Sequence, residues 1–209
     1  MKRHSIIRIF NQCMDEGDIG VFTGDGICRE SYAYDRRGNL YLSDRDNIIS
    51  LALGLAMCSN RRVFIFCDDS YVLRNLSELA HIAVSQCDNL YLIILVSGVY
   101  IDVGKHPNIF NSIMAPRSMF YNMGFLVHNY TKHFKNTKNP IKEIKAIWSR
   151  AKGPLIATVD VDLGLKNLKD EYPAEIDSLS SLSEFIQDNS ILAYNYVAPI
   201  SIAELVVEE

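Results

Sequence analysis

Two apolar runs joined by an amphipathic crossover constrain this chain more than any other feature. The first, Val63-Phe64-Ile65-Phe66, stops abruptly at Cys67-Asp68-Asp69-Ser70. The second, Leu90 through Val96, stops at Ser97-Gly98. Between them the pattern predicts one helix over Tyr71–Ala83. Runs that are apolar on both faces belong to buried parallel strands, and parallel neighbours need a helical crossover. Val63 to Tyr100 is therefore a β-α-β unit. Polar residues stand just past the carboxyl end of each strand, where open α/β sheets bind their ligands.

The rest of the chain repeats the alternation. An amphipathic helix is predicted over residues 2–15, with Ile6, Ile7, Ile9, Phe10 and Cys13 on its buried side. Ile19–Phe22 reads as a short strand, Thr23-Gly24-Asp25-Gly26 as a turn, and Cys28–Tyr34 as a helix. Leu40–Leu42 is a brief strand, and Asn47–Cys58 is an apolar helix whose Gly54 and Ala56 permit close packing. The chain reads as loop through Gly104-Lys105-His106-Pro107. Helix follows at Ile113–Met123, strand at Phe125–His128, a basic helix at Ile141–Ala151 and a last strand at Leu155–Val161. This order predicts an α/β fold, a doubly wound and mainly parallel sheet with helices on both faces. Residues 166–209 are more acidic and polar, with a helix expected at Leu179–Gln187 and an apolar-to-acidic tail, Ile200–Glu209. They read as an extension to a domain spanning residues 1–165.

Charge and cysteine usage narrow the setting. With 21 basic and 25 acidic residues, a net charge of −4 argues against a nucleic-acid or anionic-membrane surface. The lysines at 132, 135, 138, 142 and 145 read as a solvated helix face and its approach loop. Cys13, Cys28, Cys58, Cys67 and Cys87 are odd in number and show no C-x-x-C spacing, which points to a reducing compartment, the cytoplasm. No run approaches the length of a membrane span.

In this order the elements resemble the diphosphate-binding (PP) module of thiamine-diphosphate enzymes. The likeness is greatest to the small subunit of sulfopyruvate decarboxylase and the matching half of phosphonopyruvate decarboxylase. It covers roughly residues 1–165. The stretches that carry it are Arg29-Glu30, Ile49 through Ala56, Asp68-Asp69-Ser70 with Asn75 through Ala80, and Asn89 through Tyr100, closed by Gly153 through Val159.

The resemblance implies thiamine diphosphate and Mg²⁺ as cofactors. In such a module a Gly-Asp-Gly turn lets backbone amides approach the diphosphate while its Asp binds the metal, and an Asn on the next strand adds an oxygen ligand. Carried over residue by residue, the metal positions are Asp69 and Ser97. The cofactor-binding positions are Asp68, Ser70, Arg45, Asp46, Gly98 and Tyr100. The spacing is the family's but the residue types are not: Asp68 and Ser70 replace the two glycines, Ser97 replaces the Asn, and Arg45 and Asp46 replace a Met-Gly pair. With Asp44 also acidic, the mouth gains three carboxylates. One of them ~5 Å from a diphosphate charge costs about 3 kcal/mol at an effective dielectric of about 20.

Each residue also has a plainer role. Asp68 and Asp69 can cap the following helix, Ser97-Gly98 can be an ordinary strand-ending turn, His106 a solvated loop residue and Cys67 a buried thiol. Two functions follow. The chain is the PP-type subunit of a thiamine-diphosphate-dependent 2-oxo-acid decarboxylase-like or carboligase-like complex. It would then form a homo- or hetero-oligomer and rely for catalysis on a pyrimidine-type (Pyr) subunit or a homologous chain. Alternatively it is a cofactor-free relative acting as a structural or regulatory partner. No catalytic residue is assigned to it.

Overall fold

The two apolar runs form the centre of the sheet. In the computed structural model, which describes residues 1–34, 36, 38–42, 47–100, 104–110 and 116–163, Val63 pairs with Leu90 and the register continues in parallel to Asp68 opposite Leu95. The elements run α1 (Arg3–Cys13), β1 (Ile19–Thr23), α2 (Asp25–Tyr32), β2 (Asn39–Leu42), α3 (Ile48–Met57), β3 (Val63–Asp68), α4 (Asp69–Arg74), α5 (Leu76–Ser85), β4 (Leu90–Val96), β5 (Val99–Tyr100), β6 (His106–Pro107), α6 (Pro116–Asn122), β7 (Leu126–Asn129), α7 (Thr131–Asn136), α8 (Pro140–Trp148) and β8 (Leu155–Asp160). Six strands form one parallel sheet in the order β2-β1-β3-β4-β8-β7. The α/β architecture expected from the sequence is the one observed.

Alternation along the strands gives the sheet two unlike faces. Val21, Ile65, Cys67, Leu92 and Ile94 pack beneath α3, α4, α5 and α6 in an aliphatic layer. Phe22, Phe64, Phe66 and Tyr91 point the other way, under α1, α2 and α8. That second layer is a continuous aromatic array. The Phe22 ring stacks on Phe66 at 4.6 Å between centroids and on Tyr41 at 5.4 Å, while Phe64 lies 4.5 Å from Trp148. Gly20 makes room for it, since a Cβ there would lie 2.8 Å from the Phe22 ring. A buried ion pair, Arg3 with Glu30, ties α1 to α2 on this face.

Several boundaries differ from expectation. The helix predicted over Tyr71–Ala83 is two helices. Asn75, at φ −118° and ψ 32°, closes α4, and its side-chain amide donates to the Tyr71 carbonyl at 2.9 Å. The turn at Thr23–Gly26 is only Gly24, at φ 84°, and α2 begins at Asp25 rather than Cys28. The loop after Tyr100 contains a small hairpin, with Val99 opposite Pro107 and Tyr100 opposite His106. Within the supposed basic approach loop lies a short helix, α7. The expected helix at Leu179–Gln187 and the whole extension lie outside the described residues. No helix among the described residues is long and apolar enough to cross a membrane.

Strand order fixes where a ligand would sit. From β1 the chain moves to β2 on one side and then to β3 on the other, so the switch point lies at the carboxyl ends of β1 and β3. Asp68, Asp69 and Ser70 occupy the β3 end of it.

Candidate functional site

The strand β3 ends where its backbone turns into α4, and the turn divides the two adjacent carboxylates. Asp68 keeps extended backbone and caps α4, its Oδ1 accepting from the Tyr71 amide at 2.7 Å and the Ser70 hydroxyl at 2.6 Å. Asp69 is already helical, and its side chain reaches across to the end of β4. Both are buried, Asp69 completely. Of the two plain roles, capping falls to Asp68 alone.

Asp69 is enclosed by hydrogen donors. Its Oδ1 accepts from the Ser97 backbone amide at 3.2 Å and the Ser97 hydroxyl at 3.1 Å. Its Oδ2 accepts from the Gly98 amide and from Asn108 Nδ2, both at 2.8 Å. Gly98, at φ 75°, takes a left-handed conformation that most side chains disfavour, and this presents its amide to the carboxylate. Asn108 arrives on the far side of the β5–β6 hairpin, whose turn carries positive φ at Gly104 and Lys105. It is 6 % exposed, and its backbone amide and both ends of its side-chain amide are used. Its backbone amide donates to the Gly98 carbonyl at 2.9 Å, and its Oδ1 accepts from the Phe110 amide at 3.0 Å. That second bond settles the amide orientation, because only Nδ2 is left to face Asp69.

The structure thus brings together Asp68, Asp69, Ser70, Ser97 and Gly98, and adds Asn108, which sequence reasoning missed. Tyr100 stands half-buried on the hairpin. Arg45 and Asp46, with Asp44, lie outside the described residues. His106 is exposed. Burial, reinforced by Asp68 and then Asp69, pushes the Cys67 thiol well above its ordinary pKa, which suits an inert strand-end thiol. Lys138, Lys142 and Lys145 are exposed, as a solvated face requires. A concavity of about 980 Å³ beside β7, lined by Tyr121, Leu126 and Ile147 among others, contains none of the site residues.

This donor set does not fit Mg²⁺. A carboxylate offers about four lone-pair sites; three of Asp69's meet N–H groups, and the fourth faces the Ser97 hydroxyl, whose single proton the Val99 carbonyl also approaches at 3.3 Å. A hard cation takes oxygen ligands, yet Asn108 turns nitrogen towards Asp69 and its oxygen away. At the start of α4 the Asp68 carboxylate holds the Tyr71 amide and the Ser70 hydroxyl, and it places an acidic group where a diphosphate would approach the helix. Among the described residues, no group of three or more His, Cys, Asp or Glu side chains is placed to hold a metal.

Comparison with known proteins bears on the fold. No protein-family model and no curated protein sequence matches the chain. Solved structures do match. Benzoylformate decarboxylase from Polynucleobacter necessarius superposes with a TM-score of 0.59 at 13% identity, over 80% of this chain and 34% of that one. The thiamine diphosphate-dependent 4-hydroxybenzoylformate decarboxylase of Rhodococcus jostii RHA1 gives 0.56 at 13% identity, over 78% and 33%. Transketolase from Leishmania mexicana gives 0.53 at 14% identity, over 71% and 29%. The chain has the α/β fold found in these thiamine-diphosphate-dependent enzymes, and identities this low carry the fold alone. It spans about a third of the length of the structures it matches.

Proposed function

We propose that the chain is a cofactor-free, PP-type subunit, a structural or regulatory partner of a chain from a thiamine-diphosphate enzyme assembly. The observation that carries this reading is the Asp69 carboxylate, wholly buried and engaged by four internal donors. Two positions that would hold ligands in the resembling family, Asp68 and Asp69, are tied into the protein's own hydrogen bonding. The sheet that would carry them is intact. Such a subunit contributes surfaces, not chemistry, and no catalytic step is assigned to its residues.

A second reading has a specific observation in its favour. Asp69 and Ser97 do meet, at the carboxyl ends of neighbouring strands beside the switch point. On that reading thiamine diphosphate and Mg²⁺ bind between this chain and a Pyr-type partner, and the assembly decarboxylates a 2-oxo acid or joins one to an acceptor. Calorimetric titration with thiamine diphosphate and Mg²⁺, with and without a Pyr-type chain, separates the two. The first reading expects no cofactor heat from this chain, with the two chains co-sedimenting. Saturable cofactor binding that disappears in Asp69→Ala would overturn it in favour of the second.

A further inference from the structure

We infer that the Asn108 side chain is a built-in substitute for a cation, closing the carboxyl end of the sheet by occupying the position from which a metal would face Asp69. The inference shares with the proposed function its view of Asp69 and goes beyond it by assigning the replacement to one residue. Asn108 has the geometry for this role. Its Nδ2 reaches Asp69 Oδ2 at 2.8 Å, sharing that oxygen with the Gly98 amide, while Ser97 meets Oδ1. Its Oδ1 and backbone amide anchor it to Phe110 and Gly98. Phe110 is in turn buried in the aliphatic layer, 6.3 Å from the Phe120 ring between centroids. The hairpin from Val99 to Pro107 is thereby strapped down at both ends, by Gly98 before it and Asn108 after it.

The chemistry can be inverted by one atom. Asn108→Asp exchanges the donor nitrogen for an acceptor oxygen, so that two carboxylates and the Ser97 hydroxyl converge. Those are the oxygen ligands a hard cation takes, and without one the two carboxylates repel. Asn108→Ala empties the position without adding charge.

The test uses the full chain and Mn²⁺ alone, with bound metal read as loss of the free-ion electron paramagnetic resonance signal. The wild type is expected to bind no Mn²⁺. Asn108→Asp is expected to bind one Mn²⁺ per chain, to melt below the wild type in EDTA, and to regain several degrees when Mn²⁺ is added. Asn108→Ala is expected to bind Mn²⁺ more weakly, and Asp69→Asn combined with either change should abolish binding. Stoichiometric, Asp69-dependent Mn²⁺ binding by the wild type would overturn the inference, as would folded Asn108→Asp or Asn108→Ala protein that binds none. Neither result by itself reports on partner association, so this inference can fail while the partner role stands. Failure of the two chains to co-sediment would leave the Asn108 assignment intact.

Discussion

Replacing Asp69 by asparagine keeps the shape of the side chain and exchanges one acceptor oxygen for a donor. Whichever way the new amide turns, its nitrogen meets at least one N–H that now lacks an acceptor: Gly98 and Asn108 on one side, or the Ser97 amide on the other. The second orientation is the cheaper, because the Ser97 hydroxyl can reverse and accept. Hydrogen bonds to a charged group contribute about 1.5–3 kcal/mol and neutral ones about 0.5–1.5, so the change costs about 1 kcal/mol at each of four bonds. Removing a buried charge returns part of its desolvation cost, leaving a net loss of about 3 kcal/mol. In urea, with m about 2 kcal/mol/M, the midpoint of Asp69→Asn should fall by about 1.5 M, and Tm by about 6–12 °C. The measurement is made in EDTA, where the two views of the site diverge. A carboxylate held in readiness for a metal is unbalanced without it, so its neutralisation would be harmless or stabilising. Asp69→Asn as stable in EDTA as the wild type would refute a structural role for the Asp69 carboxylate.

Two further outcomes test the parts of the fold that hold the sheet. Arg3 and Glu30 are 3 % and 1 % exposed and share two hydrogen bonds, at 2.8 and 3.2 Å; Arg3→Met alone should cost about 3–5 kcal/mol by stranding the carboxylate, whereas Arg3→Met with Glu30→Met should recover most of it. Urea melts of both variants decide this, and an additive double mutant would show that the pair is not coupled. Among the five thiols, burial pushes Cys13 up to about 12 and encloses Cys28 and Cys67, while Cys58 and Cys87 are half-buried. A thiol-disulfide reagent at pH 8 should therefore label two thiols in the native protein and all five in denaturant, with mass spectrometry placing the early labels; early labelling of Cys67 would contradict its position.

The legible part of the structure is the part written in runs. β3 and β4 are apolar on every residue because both faces are covered, and their length and abrupt ends are visible in the sequence. What is not legible depends on one side chain choosing between equivalent roles. Asn75 sits inside a helical pattern and breaks it only by capturing the Tyr71 carbonyl. α7 is missed because Thr131–Asn136 is polar and short, and becomes a helix against β8 rather than by its own propensity. At the site, the spacing of Asp69 and Ser97 brings them together as expected. Asn108 carries no signal of its own, since its reach to Asp69 depends on a hairpin of two-residue strands turned by Gly104 and Lys105. The same is true of Asp68, where a cap and a ligand call for the same residue type.

The polar residues at and beside the switch point are coupled. Ser70 and Asp68 bond to each other, so the serine hydroxyl supports the carboxylate that caps α4. Ser97 supplies Asp69 with two donors, its amide and its hydroxyl, and Asn108 fills the remaining lone-pair site beside the Gly98 amide. The backbone turn at the start of α4 sends the Asp68 and Asp69 carboxylates in different directions, one into a helix start and one against the end of β4, and each meets its own donors. Asp68, Asp69, Ser70, Ser97 and Asn108 are thus bonded within the protein at the ends of β3 and β4, whereas the buried Thr23 hydroxyl at the β1 end of the switch point has no hydrogen-bond partner among the described residues.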